Sequence, residues 1–133
     1  MFCKTVTCDA HECLELGSLD TVEPLLVESL GQARELGFNR AAAVAWALRA
    51  ELYRRRGEAD TALAYARTAD ETAPLDAFDA ACLMETRLRL AADGGDRDAV
   101  RRGLAELATW IEKGHDPRLE ARLVALRSEL GFR

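Results

Sequence analysis

The stretch AVAWALRAELYRRRGEADTALAYARTADETAPLD, residues 43–76, has the residue spacing of two consecutive helices joined by a short turn. Trp46, Ala50 and Tyr53 stand at positions i, i+4 and i+7. Residues with this spacing lie along one stripe of a helix, and the pattern begins near Arg40. The first half of the stretch therefore predicts a helix with one large inward-facing stripe.

The second half of the stretch predicts a turn and another helix. Gly57 supplies the left-handed residue that ends the first helix. Asp60 or Thr61 is expected to accept a hydrogen bond from the free amides of the next helix. Pro74 closes that helix, because its ring cannot continue one. The inward stripe of the second helix is expected to contain Leu63, Ala66 and Ala69.

This pair of helices resembles a tetratricopeptide repeat along the whole unit of about 34 residues. The residues that carry the resemblance are Trp46, Ala50, Tyr53, Gly57, Ala62, Leu63, Tyr65, Ala69 and Pro74. Small side chains at Ala50, Ala62 and Ala69 let two antiparallel helices approach closely. The resemblance implies an all-α, TPR-like α-solenoid that acts as an interaction scaffold.

Further glycine turns extend the pattern over the rest of the chain. Taking Gly17 and Gly94 as equivalents of Gly57 gives two more pairs, although it puts Arg87 where a small residue is expected. Asp116 and Pro117 have the order of a helix cap and a first helical residue, so a single terminal helix follows. The prediction is one domain, residues 1–133, with helix pairs at about 3–36, 40–74 and 77–113 and a capping helix at 117–130.

Composition and charge exclude several classes of protein. Hydrophobic residues make up 49% of the chain and aromatic residues only 6%, which favours close-packed helices over a sheet. A net charge of -5 argues against nucleic acid as a direct partner, since phosphate binding needs a clustered positive surface. No apolar stretch approaches the roughly 20 residues of a membrane span. Residues 1–13 lack the apolar run of a secretion signal, so a cytoplasmic protein is expected.

The densest group of reactive side chains is Cys3, Cys8, His11 and Cys13. A four-ligand zinc site normally draws pairs such as C-x-x-C from two elements, and this group has no second pair. We therefore expect no metal and no other cofactor, and Cys82 is expected to fill a helix interface. A thiol or metal sensor built on the four N-terminal residues stays as an alternative function.

No constellation of residues indicates catalysis. The chain has no Ser–His–Asp order, no Gly-rich phosphate loop and no H-E-x-x-H zinc motif. His115 lies between a glycine and an aspartate, where a turn residue is expected. Asp76 and Asp79 stand at a helix start, where acidic residues are ordinary. The sequence therefore predicts a protein that is not an enzyme.

The resemblance also implies where a partner binds. Such repeats take a peptide or helix in the concave groove that is lined by the first helix of each pair. Carried over position by position, the groove side of the second pair contains Ala47, Glu51, Arg54 and Arg55. The two arginines are suited to acidic side chains or to a peptide carboxylate. Repeats that bind the C-terminal carboxylate of a chaperone need asparagines on successive first helices. Asn39 is the only asparagine in this sequence, so binding of that kind is not expected.

A second resemblance concerns context. The spacing of about forty residues and the phrase Gln32–Ala33–Arg34–Glu35–Leu36–Gly37 are similar to the repeat regions of large bacterial LuxR-type transcriptional regulators. This similarity implies a role in a bacterial regulatory system. Because the chain has few repeats, self-association through an exposed end is a further alternative, as a homo-oligomeric structural subunit.

Overall fold

The computed structural model describes residues 19–114 and 116–131, and side chains from residue 21 onward. Helices occupy 86% of these residues, and the described part of the chain contains no strand. The predicted all-α class is therefore confirmed. The six helices of the described residues are α1 Leu19–Leu36, α2 Asn39–Arg55, α3 Ala59–Thr72, α4 Ala77–Asp93, α5 Arg97–Gly114 and α6 Pro117–Glu129.

The chain divides into two compact units, Met1–Leu75 and Asp76–Arg133. We call them unit 1 and unit 2. The described part of unit 1 contains α1, α2 and α3, and unit 2 contains α4, α5 and α6. The first sixteen or so residues, which the sequence predicts to form a helix, lie outside the described residues.

Three helices end with the same backbone closure. At the end of α2, Gly57 has a positive φ of 82°, and the amide of Glu58 donates to the carbonyl of Tyr53 at 2.9 Å. This is the bond of a Schellman motif, in which the left-handed residue is usually glycine because it has no Cβ. The ends of α1 and α4 close in the same way, with Gly37 and Gly95 as the left-handed residues. The predicted role of Gly57 is confirmed.

The helix starts are less uniform. Asp76, Asp96 and Asp116 each accept a hydrogen bond from a backbone amide in the first turn of α4, α5 and α6, at 2.9, 3.0 and 2.9 Å. The prediction that Asp60 or Thr61 caps α3 is wrong. That helix begins at Ala59, after Glu58, which makes no side-chain cap bond. Asp60 lies inside the first turn, where its charge instead suits the positive end of the helix dipole.

The interior of unit 1 has an aliphatic part and an alanine-rich part. Val22, Leu26 and Leu52 form one buried cluster that joins α1 to α2. In α3 the buried positions are Ala62, Ala66 and Ala69. Leu63, which the sequence places on the inward stripe, is 44% exposed, so that prediction is wrong. One residue turns the side chain by about 100° around the helix, and α3 directs Ala62 inward instead.

The described residues of unit 2 contain one larger hydrophobic cluster. Its buried residues come from all three helices: Ala81, Leu88, Val100, Leu104, Leu107, Ile111, Leu119, Leu123 and Leu126. The three leucines of α6 stand at positions i, i+4 and i+7 and form the inward stripe of that helix. Two ion pairs also join α6 to α4, between Arg122 and Glu85 at 3.1 Å and between Arg89 and Glu129 at 2.6 Å.

The turn between α4 and α5 shifts the register that Gly94 predicted. The left-handed residue is Gly95, whereas Gly94 has an ordinary right-handed conformation. Counted from the left-handed glycine of each unit, the equivalent of Ala50 is Leu88 and not Arg87. The larger side chain is accommodated by Gly103 on α5, where an added Cβ would lie 2.2 Å from Cδ2 of Leu88. The small residue that the close approach requires is thus on the other helix.

Replacing Gly103 tests whether its close contact with Leu88 matters for stability. Alanine in a helix interior is normally about 0.5–1 kcal/mol more stable than glycine. In Gly103→Ala the clash with buried Leu88 outweighs this gain, since overpacking costs about 1–3 kcal/mol. We expect Gly103→Ala to lower the free energy of unfolding by about 1 kcal/mol, as measured by urea denaturation. Gly31→Ala, in α1 with no atom near the added Cβ, is the matched control and is expected to stabilise. Stabilisation by both changes would contradict the packing argument.

Candidate functional site

The four predicted groove residues lie on successive turns of α2. Ala47, Glu51, Arg54 and Arg55 stand at i, i+4, i+7 and i+8, so they occupy one face of that helix. Ala47 is partly buried and contributes only a methyl group one turn before the charged residues. The structure brings the other three together, and we call them the arginine–glutamate cluster.

The geometry of this cluster is set by one carboxylate. Arg54 donates through Nε to Oε1 of Glu51 and through Nη2 to Oε2, both at 2.9 Å, which is a bidentate pair. Arg55 donates through Nε to Oε2 at 2.5 Å. Burial raises the pKa of Glu51, but the hydrogen bonds from Arg54 and Arg55 outweigh burial, so the pKa lies below its ordinary value.

The charge balance of the cluster decides what it can bind. Two guanidinium groups share one carboxylate, so the three side chains together carry one net positive charge. The side chains of Glu51 and Arg54 are 14% and 15% exposed, and that of Arg55 is 29% exposed. Guanidinium groups bind carboxylates in a planar, paired geometry. The side chains on this face of α2 are thus of the type that recognises carboxylates.

A second group of polar and aromatic side chains joins all three described helices of unit 1. The guanidinium carbon of Arg49 lies 4.6 Å from the ring centre of Tyr65, 5.2 Å from that of Trp46 and 6.0 Å from that of Tyr53. The Tyr65 ring also packs against the other two, with centres 5.3 and 5.1 Å apart. A cation between aromatic faces is held by the ring quadrupoles. The guanidinium group of Arg49 therefore lies among the three rings.

Glu23 of α1 closes this group from the side. Its Oε1 accepts from the hydroxyl of Tyr53 at 2.6 Å and lies 3.6 Å from Nη2 of Arg49. Its Oε2 accepts from Nη1 of Arg56 at 2.6 Å. The bonds from Tyr53 and then Arg56 lower the pKa of Glu23, and the bond to Glu23 raises the pKa of Tyr53. Glu23 thus ties α1 to α2 by charge as well as by packing.

Removing the charge of Glu23 tests this role. Hydrogen bonds to charged groups contribute about 1.5–3 kcal/mol, and partial exposure reduces that. We expect Glu23→Gln to lower the free energy of unfolding by about 1 kcal/mol at pH 7. The pKa is depressed in the folded state, so this contribution is present above pH 4.5 and fades as the pH falls through the folded pKa.

The matched control for this change lies on the same helix. Glu28 is exposed on α1, and its carboxylate accepts only a long bond of 3.4 Å from Gln32 among the described residues. Glu28→Gln is expected to change the stability by less than about 0.5 kcal/mol. An equal loss in both variants would show that Glu23 contributes no more than an exposed surface charge.

The remaining candidate residues are placed as follows. Cys3, Cys8, His11 and Cys13 lie outside the described residues, as does His115. Within residues 19–114 and 116–131, no group of three His, Cys, Asp or Glu side chains is arranged to hold a metal ion. Cys82 lies on α4 and is partly buried. No described helix is both long enough and apolar enough to cross a membrane.

Sequence reasoning found the arginine–glutamate cluster and singled out the three aromatic residues around Arg49, but it missed Arg49 itself and Glu23. Glu51, Arg54 and Arg55 are close in sequence, so helical spacing alone brings them together. Glu23 is thirty positions from Tyr53, and no local pattern links the two. The repeat spacing of Trp46, Tyr53 and Tyr65 was the signal available for the aromatic part of that group.

No known protein-family description, no curated protein and no solved structure gave a match to this chain.

Proposed function

We propose that this chain is a non-enzymatic protein–protein interaction module built from tetratricopeptide-like repeats. The proposed array has antiparallel helix pairs at about 3–36, 40–74 and 77–113 and a capping helix at 117–130, within one domain. The described helix boundaries support it, since turns occur at 37–38, 56–58 and 94–96. The buried alanines of α2 and α3 support it as well, because they allow two helices to pack closely.

The binding surface is the face of α2 that carries Ala47 and the arginine–glutamate cluster. The single observation behind this assignment is that Arg54 and Arg55 both donate to Glu51, which holds two guanidinium groups side by side on one face of α2. A partner peptide or helix supplies a further carboxylate, from an acidic side chain or from its C-terminus. Binding by this route needs no cofactor and no metal.

The setting of the module follows from its second resemblance. It acts in the cytoplasm within a bacterial regulatory system, alone or as the repeat region of a larger LuxR-type regulator. In that setting the α2 face receives a segment of another protein, and neither nucleic acid nor membrane is a direct partner. The net charge of -5 supports the exclusion of nucleic acid.

A peptide-binding experiment tests the assignment. An array of 15-residue peptides with and without clustered Asp and Glu is probed with the wild-type chain and with Arg54→Gln/Arg55→Gln. We expect acidic peptides to bind the wild type and to lose at least about tenfold in affinity for the double variant. The neutral substitution avoids placing two new carboxylates beside Glu51, which would destabilise α2.

The control is a change of equal charge on another helix. Arg101→Gln/Arg102→Gln removes two exposed cations from α5 and is expected to retain binding. Circular dichroism verifies that each variant keeps its helix content. Peptides that bind equally well to the wild type and to both double variants would overturn the groove assignment.

A further inference from the structure

A depression on the surface of unit 2 exposes an aromatic side chain. Its lining residues are Met84 of α4 and Ala105, Glu106, Thr109, Trp110 and Lys113 of α5. Trp110 is 42% exposed, although a side chain of this size is usually largely buried. The neighbouring Ile111 supplies the buried face of this turn of α5. The indole is therefore directed away from the core of unit 2.

The exposed indole is held in one orientation. Its Nε1 donates to the carbonyl oxygen of Ala77, at the start of α4, at 3.2 Å. A fixed aromatic side chain loses little conformational freedom when a partner covers it. The residues that dominate binding energy at protein interfaces are enriched in tryptophan, tyrosine and arginine. Trp110 thus has the properties of an interface anchor.

The charges at the two ends of the depression are of opposite sign. Glu106 and Lys113 stand seven positions apart on α5, two turns of the helix, and both line the depression. Neither forms an ion pair within the part of the chain that the structure describes. The midpoint between them falls between Thr109 and Trp110.

This arrangement is complementary to itself. If a second α5 lies antiparallel to the first about a twofold axis near Trp110, Glu106 of each copy faces Lys113 of the other. In a twofold interface residue i contacts residue j and residue j contacts residue i, which is the relation these two charges have. The two indoles then meet near the axis. No partner of another composition is needed to satisfy both charges.

We propose that unit 2 associates with a second copy of the same chain through the α5 depression, with Trp110 at the centre and two Glu106–Lys113 ion pairs at the edges. The surface is distinct from the α2 face and goes beyond the proposed binding function. A single helix face gives a small interface, so the dimer dissociates at low concentration.

The first test is sedimentation velocity over protein concentrations from about 1 µM to 1 mM, in about 0.15 M salt. The wild type is expected to change from monomer to dimer within this range. Trp110→Ala is expected to weaken the dimer at least about 30-fold, since an interface anchor contributes that much. Val124→Ala, which removes part of a 68% exposed side chain from α6, is the control and is expected to leave the dimer intact.

The second test uses charge reversal and does not depend on the indole. Glu106→Lys places two repulsive lysine pairs in the dimer, and Lys113→Glu places two repulsive glutamate pairs in it. Each variant alone is expected to be monomeric. An equimolar mixture of the two is expected to form a heterodimer, because every edge pair is then attractive. Circular dichroism verifies that both variants are folded.

Association of the mixed variants, with neither associating alone, supports antiparallel pairing of α5. A wild type that stays monomeric at 1 mM overturns the proposal. A dimer that persists unchanged in Trp110→Ala and in both charge reversals also overturns it.

Discussion

Leu52→Ala is expected to lower the free energy of unfolding of unit 1 by about 3 kcal/mol. Leu52 is fully buried on α2, in one cluster with Val22 and Leu26 of α1. Truncation removes apolar surface from the interior and leaves a cavity, and substitutions of this kind cost about 2–5 kcal/mol. The residue lies where α1 meets α2, so the loss weakens the packing of both helices.

The matched variant is Leu63→Ala, on the exposed side of α3. The same atoms are removed, but Leu63 is 44% exposed, so we expect a change of less than about 0.5 kcal/mol. Urea denaturation is followed by tryptophan fluorescence in a Trp110→Phe background, where Trp46 is the only tryptophan and reports on unit 1. A large loss in Leu63→Ala with a small one in Leu52→Ala would reverse the assigned faces of α2 and α3.

The pair Leu52 and Leu63 also shows what the sequence could predict. The existence of the helices followed from glycine turns, aspartate caps and apolar spacing, all of which act within a few residues. Their ends agree with the structure to within a few residues, as at Gly57 and Asp116. Ala62, Ala66 and Ala69 of α3 are buried, as predicted. Leu63 was placed inward wrongly because it stands next to Ala62 and both are apolar, and helix spacing alone does not decide which of two adjacent apolar residues is buried.

The register predicted from the turn at Gly94–Gly95 was wrong for a related reason. Two consecutive glycines are equally able to adopt a positive φ, so the sequence does not say which one ends the helix. The choice of Gly95 moves the register of unit 2 by one residue and puts Leu88 against Gly103. The contact between Leu88 and Gly103 joins two helices, and such contacts are not visible in local patterns.

One part of the candidate site could be predicted from the sequence, and another part could not. The cluster of Glu51, Arg54 and Arg55 forms within one helix, so its geometry follows from helical spacing. The ion pairs of Glu23 with Arg49 and Arg56 cross between helices, as does the bond from Trp110 to Ala77. Residues that act within one turn can thus be found from sequence, whereas those that act across helices need the fold.

A carboxyl pair at the start of α4 makes unit 2 sensitive to pH in the direction opposite to Glu23 of unit 1. Burial, together with the charge of Asp76 and a hydrogen bond to it, raises the pKa of Asp79 from 3.8 to about 6. Asp76 is held in place as the helix cap, since its Oδ1 accepts a hydrogen bond from the backbone amide of Asp79 at 2.9 Å. Two carboxylates held this close repel each other when both are ionised.

The raised pKa fixes the sign of the pH dependence. Asp79 binds its proton more tightly in the folded state than in the unfolded state, so folding is most favoured below pH 4. This contribution is lost as the pH rises from about 4 to about 6. Because the carboxyl is only partly buried, solvent reduces the effect, and we expect a loss of about 1–2 kcal/mol.

Asp79→Asn is therefore expected to stabilise unit 2 by about 1–2 kcal/mol at pH 7.5 and to have almost no effect at pH 4. The amide carries no charge at either pH, whereas the wild-type carboxyl is ionised only at the higher one. Urea denaturation at both pH values measures the difference. Asp98→Asn, at the exposed start of α5, is the control, and it is expected to lose a few tenths of a kcal/mol at pH 7.5 because its charge favours the helix dipole.

A second substitution separates repulsion from burial. Asn is as good a helix cap as Asp, so Asp76→Asn keeps the cap of α4 while it removes the neighbouring charge. The pKa of Asp79, followed by the NMR shift of its carboxyl carbon, is expected to fall from about 6 toward 3.8 but to stay above it, because burial remains. A pKa that is unchanged in Asp76→Asn would show that the paired carboxylate contributes nothing and that burial alone accounts for the shift.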